Sequence, residues 1–481
     1  MSSGVDVARD ALAGTQAWLV GGAVRDRLLG RQTADADVVV AGDPARAAHA
    51  VARAARRAAC FALSEEFGSW RVVARDGAWQ VDVEPLRGGA IEADLRLRDF
   101  TVNAIAQPLA GGSTVDPLGG VQDLRARRLR MSRAAAFAED PLRVLRMVRL
   151  ALELDLRPEA DTLHAASDHA GGLRAISAER VFAELRRVVA SPHVRRGLEM
   201  MSALGATAVV LPELEALRGV EQNRYHHLDV HDHTLEVLDR TVELSGVARE
   251  EQKPAAQLRA FLGEHRAAVG ALLAEPLADE LTRGEALRWG ALLHDAAKPL
   301  TRAVRPQDGR VTFIGHDVRG AELARAVLGR LRASERLRAH VSALVRHHLR
   351  LGFLVHEPQP LPRRVLFAYL RVCSPVEVDV TLLSAADRLA TRGQRSGEAV
   401  RAHLALAHDV LGETLRWRAD GPPKPLLRGD DLARALGIAT GPRVGSLLEA
   451  LAAAQYAGEV SEREQALAYV RTLAGPEPGV T

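Results

Sequence analysis

Asp35 and Asp37 stand two residues apart, directly before the apolar run Val38 to Val40. On a strand, residues i and i+2 project to one face, so the two carboxylates point the same way and repel unless a cation sits between them. Hard oxygen ligands favour Mg²⁺. A Mg²⁺ that bridges to a triphosphate is an arrangement for nucleotidyl transfer, and two such ions can flank the reacting phosphorus. Upstream, Gly21 and Gly22 end a strand and open a helix. Glycine lets backbone N–H groups approach a phosphate, and a helix N-terminus favours negative charge. Arg25 follows, within reach of a phosphate or a base. An isolated Asp-x-Asp is more often an exposed acidic strand end; the Gly-Gly at this distance upstream supplies the context that favours chemistry. The segment VDVEPLR offers a third carboxylate, with Asp82 between two valines preferred and Glu84 as the alternative.

A second group of chemistry-bearing residues is built from histidine. Eleven of the 17 histidines fall between His226 and His356. HDHTLEVL (231–238), LLHDAAKP (292–299), FIGHDVRGAE (313–322), LVRHHL (344–349) and SAADRLA (384–390) form an ordered series. Any one of these histidines alone would more often be a satisfied core residue. Helical histidines with an adjacent His-Asp pair are good ligands for first-row metals.

These residues need positioning elements. QAWLVGGA reads as a strand and turn, VRDRLLG as a short helix closed by Gly30, and ADVVVA as a strand. DPARAAHAVARAARRA is a helix with Asp43 as N-cap and Pro44 at its first position. SWRVVARDGAWQVDVEPLR reads as a hairpin turned at Asp76-Gly77. The N-terminal part is therefore a small α/β domain. From Phe137 the strand signals nearly vanish. EDPLRVLRMVRLALEL predicts one helix, and AERVFAELRRVVAS another, capped by Ser177. RADGPPKP (418–425) has the composition of a linker. The expected domains are 1–130, 131–215, 216–400 and 401–481, an α/β head followed by an all-α body, an all-α histidine-rich domain and a helical C-terminal segment. The last has no readable motif; helical packing and RNA contact both suit it.

At 481 residues the chain exceeds one ordinary core. Cys60 and Cys373 are its only cysteines, which excludes a disulfide framework and suits a reducing cytoplasm. No segment has the roughly 18 consecutive apolar residues of a membrane helix, and MSSGVDVARD has no secretion-signal pattern. The expected location is cytoplasmic, without a membrane partner. The net charge of +3 does not announce a nucleic-acid binder. Asparagine occurs only at Asn103 and Asn223, and a rare residue inside a motif argues for use over drift.

In order, LVGGAVRDRLLGRQTADADVVV (19–40), LRDFTVNAIA (97–106), VDPLGGVQDLRARRLR (115–130), EDPLRVLRMVRLALEL (139–154) and ISAERVFAELRRVVAS (176–191) resemble the motifs of the tRNA nucleotidyltransferase/poly(A) polymerase family, in its bacterial–eukaryotic class. The resemblance implies that Asp35 and Asp37 bind the catalytic metal, with Asp82 as the third acid, and that Gly21, Gly22 and Arg25 meet the triphosphate. It further implies nucleotide contacts for Arg98, Asp99 and Asn103. Base reading falls to Asp140 and Arg143, with Arg146 beside them, because in this family the protein selects C or A. Asp140 and Arg143 at i and i+3 would share a helix face. The implied reaction adds nucleotides from CTP, or from CTP and ATP, to the 3′ end of tRNA with release of pyrophosphate. The helical body would hold the tRNA through arginines such as Arg186, Arg187, Arg195 and Arg196.

One departure bears on subtype. Members adding the full CCA carry a longer loop after the third-acid strand; here six residues separate Arg87 from Asp94. That resembles enzymes adding only the two cytidines. A poly(A) polymerase is an alternative, although the tail YVRTLAGPEPGVT carries a single arginine where those enzymes are basic. The histidine series resembles the HD phosphohydrolase superfamily. By that match His233, His294, Asp295 and Asp387 hold one divalent transition metal, His316, His347 and His348 can hold a second, and Lys298 lies near phosphate. A further alternative is a nucleotide phosphohydrolase with a degenerate head; the intact Asp35/Asp37 pair argues against it.

Overall fold

The computed structural model describes residues 3–55, 58–64, 68–222, 228–249, 256–391 and 396–474. The chain divides into two compact units, residues 1–210 and 211–481.

In the first unit, helix α1 (Gly4–Ala11) precedes β1 (Ala17–Val20), α2 (Gly22–Leu28), β2 (Asp35–Val40), α3 (Pro44–Ala54), β3 (Ala59–Ser64), β4 (Ser69–Val73), β5 (Gln80–Pro85), α4 (Ile91–Arg96) and β6 (Ala106–Pro108). The strands form one sheet in the order β3-β4-β5-β2-β1-β6. Only β2 and β5 pair in parallel; Asp37 lies opposite Asp82 in that register. Val38, Val39 and Val40 are fully or almost fully buried and seat β2 in the core. This leaves its acidic N-terminal half at the sheet's polar end. Asp43 caps α3 as its sequence predicts, accepting from Ala45 N–H at 2.9 Å, and β4 and β5 pair antiparallel with Gly77 in their turn at φ +69°. The edge strand β3 has no strand signal of its own in the sequence reading; it forms by pairing with β4.

Helices α5 (Gly120–Arg125), α6 (Ala136–Glu139), α7 (Arg143–Glu153), α8 (Ala160–His169), α9 (Ala178–Ala190) and α10 (Val194–Ala203) follow, then α11 (Thr207–Val210). The predicted single helix over 139–154 is corrected here. Asp140 is extended, at φ −144° and ψ 94°, and the long helix starts at Arg143. Pro141 explains the break, because the residue before a proline is driven out of the α region. Ser177 sits at the N-cap of α9, but its side chain makes no capping hydrogen bond.

The second unit contains α12 (Pro212–Glu215), α13 (Val230–Ala248), α14 (Ala256–Leu262), α15 (Arg266–Leu273), α16 (Arg283–Leu293), α17 (Lys298–Thr301), α18 (His316–Arg330), α19 (Glu335–His347), α20 (Arg350–Leu354), α21 (Arg363–Cys373), α22 (Glu377–Ala390) and α23 (Ser396–Asp420). Helix α16 is buried almost all round, which suits a central helix. A buried pair, Arg283 with Asp379 (2.9 Å from Nε to each carboxylate oxygen), fixes α16 against α22. Beyond the Gly421–Pro425 segment, α24 (Gly429–Leu436), α25 (Pro442–Tyr456) and α26 (Arg463–Ala474) enclose a small core around Leu432, Leu451 and Val470.

Candidate active sites

The head presents a cavity of about 480 Å³ lined by Gly21, Gly22, Arg25, Asp35, Asp37, Glu84, Arg98, Asp99, Asn103, Asp140, Arg143 and Arg146, among others. Twelve of the thirteen head residues singled out by sequence, counting the alternative Glu84, thus face one space. Asp82 is the exception. It is opposite Asp37 on the neighbouring strand, but Arg71 grips both its oxygens at 2.7 Å. Glu84 lines the cavity and lies 3.6 Å from Arg98.

Gly21 is required where it stands. Its φ is +65°, and a Cβ there would meet an Arg98 guanidinium nitrogen at 3.1 Å and Asp37 Oδ2 at 3.3 Å. The turn is therefore pressed against both the Asp37 carboxylate and the Arg98 cation. Burial, then the neighbouring Glu84 carboxylate, pushes the Asp37 carboxyl up to about 6. A site that holds carboxylates together against their own charge, all with oxygen donors, fits a hard divalent cation.

The rest of the wall is a chain of fixed polar groups. Arg25 is locked by Asp26 (2.9 Å) and donates to Asn103 Oδ1 (2.6 Å). Asn103 donates in turn to Asp99 Oδ1 (3.0 Å), and Arg146 closes on Asp99 Oδ2 (2.5 Å). The rare Asn103 is thus the joint between Arg25, beside the Gly21–Gly22 turn, and Arg146 of α7. Burial raises the Asp99 carboxyl, but Arg146, Asn103 and the Phe100 N–H outweigh it and hold the group below the usual range. Arg143 is anchored to the carbonyls of Ala136 (3.0 Å) and Leu97 (3.3 Å). Asp140 and Arg143 do converge, but through the kink at Pro141 and not through a shared helix face.

Sequence reasoning missed Asp94 in this wall and, behind the wall, Arg180. Arg180 of α9 donates to Asp140 Oδ2 at 2.7 Å, and Asp94, almost fully buried, receives Arg98 Nε at 3.3 Å and the Arg87 N–H at 3.3 Å. The Asp94/Arg98 spacing of four is a readable helix pairing; Arg180 had no comparable local signal.

In the second unit His233, His294 and Asp387 converge, and so do Asp295, His316 and His348. Asp295 joins the two groups: its Oδ2 lies 3.1 Å from His294 Nε2 and 3.8 Å from His233 Nε2, while its Oδ1 lies 3.3 Å from His316 Nε2. His233 Nε2 is 3.0 Å from Asp387. The Nδ1 atoms of His294, His316 and His348 each face a backbone carbonyl at 2.6–2.7 Å, those of Ala291, Phe313 and Val345. That contact fixes Nδ1 as the protonated nitrogen and turns each Nε2 lone pair inward. His294 Nε2 and His316 Nε2 are buried without a hydrogen-bond partner, as ligands for a transition metal would be. Burial raises the Asp295 carboxyl, yet His294 and Lys298 hold it well below the usual range. Burial lowers the His348 imidazole to about 4, reinforced by His294, so it is neutral and ligand-competent at neutral pH.

His347 is corrected. It lies outside both convergent groups, and its Nδ1 accepts instead from Arg350 Nε at 3.0 Å. Consecutive helical residues face about 100° apart, so His347 and His348 cannot both turn inward. Lys298 lines the adjoining cavity of about 640 Å³ with Arg305 and Arg310, its Nζ at 2.7 Å from both Asp295 Oδ2 and Gln222 Oε1. His226 and His227, shortly before α13, lie outside the described residues.

A carboxylate cleft on a mixed sheet, followed by helices and a buried His/Asp centre, defines an enzyme with a nucleotidyltransferase head and an HD unit. Three family models match it in that order: the poly A polymerase head domain over residues 17–130, the probable RNA- and SrmB-binding site of polymerase A over 155–217, and the HD domain over 262–392. The A-adding tRNA nucleotidyltransferase of Deinococcus radiodurans is 39% identical over 96% of each chain. The CC-adding tRNA nucleotidyltransferase of Thermus thermophilus is 36% identical over 94% of this chain and 93% of its own. The apo structure of a CCA-adding enzyme shares the fold at a TM-score of 0.62 and 18% identity, covering 98% of this chain and 93% of that one. The chain belongs to the tRNA nucleotidyltransferase/poly(A) polymerase family.

Proposed function

We propose that the protein extends the 3′ end of tRNA with cytidine, as a CC-adding enzyme, and that its HD unit hydrolyses a phosphoester. The observation that supports the subtype is the connection after β5. The chain passes from Pro85 through Leu86–Ala90 directly into α4, and the Arg87 N–H ties back to Asp94 at 3.3 Å. That leaves no room for the longer loop expected of full CCA addition. The overall similarity to an A-adding relative at 39% identity favours a second reading, addition of the terminal adenosine alone.

In the transfer step the tRNA 3′-hydroxyl attacks the α-phosphate of CTP, a new phosphodiester forms, and pyrophosphate leaves. Asp35 and Asp37, with Asp82 or Glu84 beside them, would hold Mg²⁺. When bound it supplies a lowered hydroxyl pKa and neutralises charge on the α-phosphate. The residues themselves do the positioning. The Gly21–Gly22 turn presents backbone to the triphosphate, with Arg98 pressed against it. The Arg25–Asn103–Asp99–Arg146 chain holds the nucleotide wall rigid, so little reorganisation accompanies the reaction. Asp140 accepts and Arg143 donates along the base edge, and Arg180 orients Asp140.

In the HD unit, His233, His294, His316, His348, Asp295 and Asp387 would hold one or two divalent transition metals. These supply an activated water at neutral pH. Lys298, Arg305 and Arg310 give the neighbouring cavity a positive wall for the phosphate.

The test uses tRNA transcripts ending before CCA, after C and after CC, each incubated with CTP or ATP alone. CTP should extend the first by two residues and the second by one, and leave the third unchanged. Addition of A to the CC end, without C addition elsewhere, would replace this reading with the second one.

A further inference from the structure

We propose that Glu264, His265 and His408 form a third divalent-metal site, of the zinc class, separate from the transferase cleft and from the HD centre. Glu264 and His265 lie in the 3-10 turn between α14 and α15, and His408 lies in the middle of α23. Their ligand atoms all fall within 4.8 Å of one another. His408 Nε2 is 3.6 Å from one Glu264 oxygen, and His265 Nε2 is 3.8 Å from the other. These separations are too long for hydrogen bonds. They approach the spacing of about 3.4 Å that tetrahedral ligands have around an ion about 2.1 Å from each.

Three further features converge on the same point. The His408 ring is fixed from behind, its Nδ1 lying 2.9 Å from the Phe261 carbonyl, which leaves the Nε2 lone pair facing Glu264. The two imidazoles lie face to face at a tilt, 5.1 Å between centroids and 35° between planes. Each also sits over a glycine of the other's element. A Cβ on Gly263, at φ +46°, would meet His408 Cε1 at 2.8 Å, and a Cβ on Gly412 would meet His265 Nε2 at 3.0 Å. Gly412 interrupts a long helix, where glycine is less favourable than alanine; the space it opens is occupied by the His265 ring. The nearby Arg416 is engaged by Glu413 at 2.6 Å.

The competing account is a surface His–Glu ion pair. It explains neither the paired glycines nor the inward Nε2 atoms. Two imidazoles and one carboxylate select zinc-class ions over Mg²⁺ or Ca²⁺, and three protein ligands leave a fourth position for water. The ion would staple the α14–α15 turn to α23, and neither reaction above depends on it.

The full-length protein, freed of metal, is titrated with Zn²⁺ against a chromophoric chelator, alongside Glu264→Gln and His408→Gln. The HD ligands are common to all three proteins. The wild type should bind one equivalent that each variant binds at least tenfold more weakly, and Zn²⁺ should raise the melting temperature of the wild type by more than that of either variant. The Glu264 side chain is 73% exposed, so Glu264→Gln leaves packing intact and guards against misfolding of the His408 variant. Equal stoichiometry and affinity in the wild type and Glu264→Gln would overturn the proposal.

Discussion

Asp37 carries a conflict between stability and chemistry. Its carboxyl is raised to about 6 by burial and by Glu84, whereas an unfolded aspartate titrates near roughly 3.9. Below about pH 4 the group is protonated in both states and costs nothing. As pH rises through about 6 it ionises in the fold, and the folded state bears the full penalty. Metal-free Asp37→Asn should therefore be more stable than wild type at pH 7–8, by on the order of 2–3 kcal/mol. The gain should fade toward pH 4 in urea titrations, while nucleotide transfer is abolished. An unchanged difference across that range would show that Asp37 is not electrostatically strained. The histidine pair permits an equally local test. His348→Ala should lose divalent metal from the HD unit and His347→Ala should not, measured as bound metal after gel filtration.

At the scale of elements, the kink between α6 and α7 decides how Asp140 meets Arg143. Pro141 holds Asp140 extended and within 2.7 Å of Arg180. Pro141→Ala lets the helix extend toward Asp140 and releases that geometry. The ratio of CTP to ATP incorporation should fall about tenfold, the equivalent of about 1.4 kcal/mol in relative transition-state binding, with the fold intact by circular dichroism. An unaltered ratio would remove Asp140 from base selection. This element also marks a limit of the sequence. The apolar spacing of Leu145, Val148 and Leu152 is real and buried, and it disguised the break that one proline imposes. The strand carrying Asp35 and Asp37 was legible because two carboxylates spaced i and i+2 precede an unbroken run of three valines that seats it in the core. Arg180 and β3 were not, since both depend on partners distant in sequence. The inward turn of His348 over His347 required the helix phase, which adjacent histidines do not reveal.

For the whole molecule, the two proposed chemistries fall in separate compact units, residues 1–210 and 211–481. Asp35→Ala should abolish nucleotide transfer and leave phosphoester hydrolysis within about twofold of wild type, and His294→Ala should do the reverse; independent sites act additively. Loss of both activities in either variant would mean that the units are coupled. The ordered head motifs and the ordered histidines lie in different parts of the chain, each series within one unit. Within the second unit, α23 runs from Ser396 to Asp420, straight through the expected border at 400.

The central claim is that the Asp35/Asp37 cleft, with its short connection into α4, adds cytidine to tRNA and stops. Mass spectrometry of a tRNA transcript lacking CCA, after incubation with Mg²⁺, CTP and ATP together, measures this directly. The 3′ end should be lengthened by two cytidines and no further. An unextended end, or one finished with adenosine, would contradict it.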